Sequence, residues 1–172
     1  MAFSIAVLSG DGIGPEVVAE GVKVLEAVGK AFGHDFVLGY GDIGGVAMDN
    51  HGHPLPGSTL DLCKGSHAVL LGAVGGPKWD DPQAESRPED GLLSLRRGLK
   101  LFANLRPVKV YPSLTGASPI KAELLQGVDM VVVRELTGGL YFGRPKKRWS
   151  NSRGRRAVDT LIYTEGEIKR IL

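Results

Sequence analysis

Apolar residues first gather over residues 3–8, Phe3-Ser4-Ile5-Ala6-Val7-Leu8, a short run with the length and make-up of a buried strand. The run stops at Gly10-Asp11-Gly12-Ile13-Gly14-Pro15, after which the period changes. Val18, Val22, Leu25, Val28 and Phe32 recur at helical spacing and predict one apolar helix face. Pro15 suits the first position of that helix, where its missing N–H costs nothing, and Glu16 complements the helix dipole. Residues 36–40 and 68–72 predict two more strands. Between them, 41–56 is rich in Gly, Asp, Asn and His and has weak periodicity, and Ser58 with Asp61 has capping-box spacing for a short helix through Cys63 and Lys64. Residues 73–90 form a long polar loop with three prolines, a length that compact domains seldom keep without a functional reason.

Further along, 91–101 predicts a helix with Leu92, Leu95 and Leu99 on one side. Residues 103–111 predict a strand that Pro107 confines to an edge or bends. Ser118-Pro119 opens a helix through Leu125, residues 130–135 are the most strand-like of the chain, and 157–163 alternate as another strand. Thr164 and Glu167 form a second capping-box pattern, opening a helix with Ile168, Ile171 and Leu172 on its apolar side. That helix reaches the last residue with no C-cap glycine, so the expectation is a polypeptide cut in mid-element. Alternating strands and helices indicate an α/β layer architecture.

The length of 172 residues allows one domain, or one and part of another. With 42% hydrophobic and 23% charged residues, the chain reads as soluble and globular. No apolar run approaches the ~20 residues of a membrane span, and the N-terminus lacks the basic region of a signal peptide. One cysteine, Cys63, excludes an internal disulfide framework and suits a reducing cytoplasm, and four scattered histidines show no metal spacing. The net charge of +2 hides an asymmetry: seven basic residues and no acid lie between Arg144 and Arg156, leaving 14 basic and 19 acidic residues elsewhere. This basic loop, with Trp149, has the charge of a module that binds nucleic acid or an acidic partner.

Four segments offer chemistry. The turn 10–16 follows a strand and opens a helix, as phosphate-binding glycine turns do, but its third glycine comes one residue too early for a Rossmann fingerprint. It is therefore read first as a tight turn. Gly72-Ala73-Val74-Gly75-Gly76-Pro77-Lys78-Trp79 carries a strand into a glycine pair, the setting either of a ligand site or of a surface loop. Arg96, Arg106 and Arg134 lie on three elements; their forked guanidinium groups can converge on a di-acid or form separate surface ion pairs. Tyr141, in Gly138-Gly139-Leu140-Tyr141-Phe142-Gly143, is either a proton donor or a packing aromatic.

Taken together, Gly10–Glu16, Gly75–Trp79, Gly91-Leu92-Leu93-Ser94-Leu95-Arg96, Phe102-Ala103-Asn104-Leu105-Arg106-Pro107 and Val133–Gly143 resemble, in order and spacing, the isopropylmalate dehydrogenases of the isocitrate/isopropylmalate dehydrogenase family. The resemblance covers the whole chain but only the first half of the family's length. It implies a twisted mixed sheet with flanking helices, not a Rossmann fold, truncated after its N-terminal half. Residues 1–101 would belong to the first, cofactor-side domain, and 102–172 would begin the second, with a basic dimer arm at about 143–163. It implies NAD-dependent oxidative decarboxylation of 3-isopropylmalate to 4-methyl-2-oxopentanoate (2-oxoisocaproate) in leucine biosynthesis, by a cytoplasmic homodimer. A related β-decarboxylating dehydrogenase using another malate-type substrate is the alternative.

Residue by residue, the resemblance gives Arg96, Arg106 and Arg134 the substrate carboxylates and Tyr141 the protonation of the enol. Leu92 and Leu93, with Glu89, would form the pocket for the isopropyl group. Ile13 and Gly75 would contact NAD together with the segment from Gly76 to Glu89, which includes Pro77, Lys78 and Trp79. Where isocitrate dehydrogenases place a polar Ser-x-Asn sequence, Leu92-Leu93-Ser94-Leu95 favours a branched alkyl group. The lysine base and the aspartates that hold Mg2+ or Mn2+ would lie in the family's second half, so no metal ligand is expected in this chain. It should be inactive by itself.

Overall fold

The strand β1 (Ala2–Gly10) is the centre of a three-stranded parallel sheet ordered β2–β1–β3, with β2 at Asp35–Tyr40 and β3 at Ala68–Ala73. These elements belong to a computed structural model that describes residues 2–81 and 84–172. Ile5 sits opposite Leu38 on one side and Ala68 on the other. Because alternate side chains point to opposite faces, Ile5 and Val7 pack with Val18 of α1 (Gly14–Phe32), while Ala6 and Leu8 pack with Ile43, Leu55, Cys63 and Leu95. A strand covered on both faces reads as a continuous apolar run, which explains the opening pattern.

The turn after β1 is built for close approach. Gly10 has φ +70°, and a Cβ there would stand 1.9 Å from the Ala73 carbonyl oxygen. The tight-turn reading of this segment matches that geometry. The face of α1 shifts along its length: Val22 and Leu25 pack on the sheet, whereas Val28 and Phe32 are exposed. Gly29 takes their place, with the His34 carbonyl and the Phe36 ring closing over it.

Several expected elements differ. Residues 41–56 contain a helix, α2 (Gly45–His51), whose cap comes from far away in sequence and so left no local signal. The helix α3 (Gly57–Gly65) begins after Pro56, which puts Ser58 inside the first turn, and no side-chain cap forms. The helix α4 (Pro88–Gly98) starts three residues before Gly91, because Asp90 accepts the Arg87 N–H at 2.8 Å and Pro88 fills the first turn. Leu95 of α4 and Leu99, its C-cap residue, join the core as expected.

The chain divides into two compact units, Met1–Leu99 and Lys100–Leu172. In the second, β4 (Ala103–Lys109) pairs antiparallel with β5 (Asp129–Glu135), and Pro107 faces Val131. Among the described residues β4 has only this neighbour, the edge setting that proline tolerates. The expected helix from Ser118 shrinks to α5 (Ala122–Leu125), since the Ser118 hydroxyl accepts the Ile120 N–H and holds the preceding residues in a bend. The basic loop is a hairpin of β6 (Lys147–Asn151) and β7 (Gly154–Val158), and the strand expected over 157–163 ends at Val158. Its register explains how so many cations share one hairpin. Arg148 faces Ala157, Arg155 faces Ser150, Arg156 faces Trp149 and Lys147 faces Val158, so no two cations are opposed. The last helix, α6 (Glu165–Lys169), has the predicted box: Glu167 accepts the Thr164 N–H at 2.7 Å, and Thr164 Oγ1 accepts the Glu167 N–H at 3.2 Å.

Candidate functional site

In the first unit, the glycine pair follows β3 at the carboxyl end of the sheet, the side on which open α/β sheets hold ligands. Gly75 has φ +102° and donates its N–H to Asp11 Oδ2 at 2.7 Å. A Cβ there would meet Glu89 Oε1 at 2.6 Å, which places the Glu89 carboxylate beside the loop. Pro77–Trp79 forms a 3-10 turn pinned to α2. Lys78 Nζ lies 2.5 Å from Asp49 Oδ2, and Trp79 Nε1 donates to Asp49 Oδ1 at 3.3 Å. The Lys78 hydrogen bond, with that of Trp79, outweighs partial desolvation and holds the Asp49 carboxyl below its ordinary range. Ile13 is 56% exposed at the start of α1, and its neighbour Gly12 faces the Gly75 carbonyl. Pro82 and Gln83, within the segment 76–89, lie outside the described residues. On α4, Leu92, Leu93 and Arg96 are half-buried.

In the second unit, strand register does the positioning. Arg134 pairs with Asn104 and Arg106 with Val132, so the two arginines lie diagonally on one face of β4–β5. Asn104 Oδ1 accepts Arg106 Nε at 2.6 Å and steadies its guanidinium. Arg134 donates to the Tyr141 hydroxyl, and its guanidinium carbon lies 5.3 Å from the tyrosine ring centre. Arg106, Arg134 and Tyr141 line one cleft of about 480 Å³ with Glu135, Leu140 and Tyr163. Two cations and two phenols, on a wall whose one carboxylate, Glu135, is engaged by Arg170, suit a small carboxylate-bearing molecule and a proton delivered beside it.

Glu135 ends β5 as a cap for the next turn. It accepts N–H groups from Thr137 (3.0 Å) and Gly138 (2.9 Å), and Arg170, just after α6, bonds it at 2.9 Å. Burial raises the Glu135 carboxyl, but these bonds and that of the Thr137 hydroxyl together outweigh it and hold the group below its usual value. Among the described residues, no group of three or more His, Cys, Asp or Glu side chains is placed to hold a metal ion.

A model of the family described as isocitrate/isopropylmalate dehydrogenase matches residues 4–172. The chain belongs to this family. Among similar members, the 3-isopropylmalate dehydrogenases of Dehalococcoides mccartyi (strain 195) and Bacillus subtilis are each 58% identical over 173 residues, covering 100% of this chain and 47% of theirs. That of Geobacillus kaustophilus is 59% identical over 170 residues, covering 99% and 46%. The chain thus spans about half the length of these family members. Among solved structures, a β-decarboxylating dehydrogenase from Thermococcus kodakarensis (33% identity, TM-score 0.64) covers 98% of this chain and 43% of its own. The isocitrate dehydrogenase of Methylococcus capsulatus (27% identity, TM-score 0.74) covers 98% and 45%. The family fold, mixed α/β with a parallel sheet and flanking helices, is the one expected.

Sequence reasoning passed over several residues that build these sites. In the sequence Asp11 is only part of a turn, yet its buried carboxylate is central to the first-unit loop. Asp49, Asn104, Tyr163 and the Glu135–Arg170 pair were also unmarked. An acid between two glycines was the one available signal for Asp11. A further cleft of about 700 Å³, lined by Ser9, Asp42, His51 and Thr59, opens in the first unit. There Asp42 Oδ2 bonds Asn50 Nδ2 and His51 Nε2, each at 3.0 Å, which lowers the Asp42 pKa.

Proposed function

We propose that this chain supplies the amino-terminal half of an NAD-dependent dehydrogenase that oxidatively decarboxylates 3-isopropylmalate to 4-methyl-2-oxopentanoate in leucine biosynthesis. The supporting observation is the shared cleft of Arg106, Arg134 and Tyr141. Arg106 and Arg134, with Arg96, bind and orient the malate carboxylates. Tyr141, its hydroxyl held by Arg134, delivers a proton to the enol carbon left after carbon dioxide departs. Leu92 and Leu93, with Glu89, accept the isopropyl group.

The Gly75–Trp79 loop, Ile13 and Glu89 contact the cofactor, a role supported by the loop's place at the sheet's carboxyl end beside the exposed Ile13 side chain. NAD, when bound, supplies the hydride acceptor. Mg2+ or Mn2+ finds no three-ligand cage among the described residues, and no step here passes through it. The same reading makes the protein a cytoplasmic homodimer, with the β6–β7 hairpin as its intersubunit arm.

The chain by itself should form no NADH, since no lysine among the described residues lines the cleft beside Tyr141 to act as base. Joined to the C-terminal half of the Bacillus subtilis relative, it should reduce NAD with 3-isopropylmalate and not with isocitrate. Preference for isocitrate, or turnover by the 172-residue chain alone, would overturn the reading.

A further inference from the structure

We propose that Asp11 and Asp49 form a two-point clamp that positions the Gly75–Trp79 loop for the nicotinamide cofactor; the proposal rests on the reading that this loop contacts NAD. Asp11 is 3% exposed and lies before α1, far in sequence from the loop. Its Oδ2 accepts N–H groups from Gly45 and Gly75, each at 2.7 Å, and its Oδ1 accepts that of Val46 at 2.8 Å. Its own N–H donates to the Ala73 carbonyl at 2.7 Å. One buried carboxylate therefore ties the glycine turn, the first turn of α2 and the base of the loop together. Such a group is tolerated inside because N–H donors engage both oxygens.

The second point is one helical turn along. Asp49 stands four residues after Gly45 on α2 and holds both polar ends of the 3-10 turn, Lys78 Nζ and Trp79 Nε1. The Trp79 ring then closes on the helix start, where a Cβ on Gly45 would stand 2.3 Å from the indole. The helix α2 acts as a splint, bound to the loop's base through Asp11 and to its tip through Asp49. Asparagine cannot replace Asp11 in this role, because its amide nitrogen would confront an N–H that now has an acceptor. Asp11 is buried beneath the loop and acts through it, as a positioning residue.

Two measurements test the clamp. In the 172-residue chain carrying Trp149→Phe, Trp79 is the remaining tryptophan, and both Asp11→Asn and Asp49→Asn should make its fluorescence more accessible to acrylamide. In the active fusion, each substitution should raise KM for NAD by about tenfold or more, as small displacements of binding groups do. At saturating NAD, kcat and the KM for 3-isopropylmalate should stay within about twofold, and Asp49→Glu should recover most of the loss. A purely structural role would instead lower the melting temperature and the active fraction without a selective change in KM for NAD. Asp49 is partly exposed, so its variant remains informative if Asp11→Asn does not fold. An unchanged KM for NAD in Asp49→Asn overturns the clamp. If Glu89→Ala raises that KM while the aspartate variants do not, the clamp fails and the loop assignment survives. If none of the three moves it, both fail.

Discussion

Arg134 meets Tyr141 through a hydrogen bond and across the face of its ring, so the two side chains act as a pair. Lysine reproduces the charge of Arg134 but not the fork that can hold a carboxylate by two parallel bonds. In the active fusion, Arg106→Lys and Arg134→Lys should each cost about 2–5 kcal/mol in kcat/KM, whereas Arg155→Lys on the exposed hairpin should cost ~1 kcal/mol or less. Near-normal kcat/KM in Arg134→Lys would remove it from substrate recognition. Tyr141→Phe keeps the ring and loses the proton donor, so kcat should fall by roughly 10²–10⁴-fold with little change in substrate affinity. Glu135 carries a pH prediction. Its folded pKa lies below the ordinary 4.5, so its stabilisation is present above that value and is lost as pH falls through the lower one. Glu135→Gln should flatten the acid side of a stability–pH curve below about pH 4.5, and an unaltered slope there would exclude the linkage. At this scale, residue type marked Arg106, Arg134 and Tyr141 as candidates in the sequence, while their shared cleft depends on strand register that spacing alone left open. Asp11 was not legible, because its partners Gly45 and Gly75 lie in distant segments.

Elements were legible where the pattern was local. The continuous apolar run of β1 and the Thr164–Glu167 box both formed as read. The helix α2 escaped because its cap is tertiary, and the hairpin because its strands follow pairing rather than hydrophobic alternation. Leu8 is fully buried between β1 and the helices beneath it, so Leu8→Ala should destabilise the first unit by about 2–5 kcal/mol in chemical denaturation. A loss under about 1 kcal/mol would mean that this face is loosely packed. Ala157→Lys would set a cation opposite Arg148, and the hairpin should lose on the order of 0.2–1 kcal/mol, more at low salt.

At the scale of the whole molecule, the second unit leaves Leu105, Met130, Val131, Val132 and Val133 exposed on its two-stranded sheet. Apolar surface of this kind drives association, so the 172-residue chain should self-associate or bind a hydrophobic dye in sedimentation and fluorescence measurements. A monodisperse chain with no dye binding would show that this surface is covered. The core of the first unit holds the chain's single thiol. Cys63 is buried among Ala6, Leu8 and Ile43, and burial pushes its pKa up. A thiol reagent in neutral buffer can therefore react only when the packing around β1 opens. The rate of labelling should lie far below that of a free thiol, rise steeply with denaturant and rise again in Leu8→Ala. The chain thus carries its own stopwatch, in which one sulfur atom times each opening of the sheet beneath the Gly75–Trp79 loop.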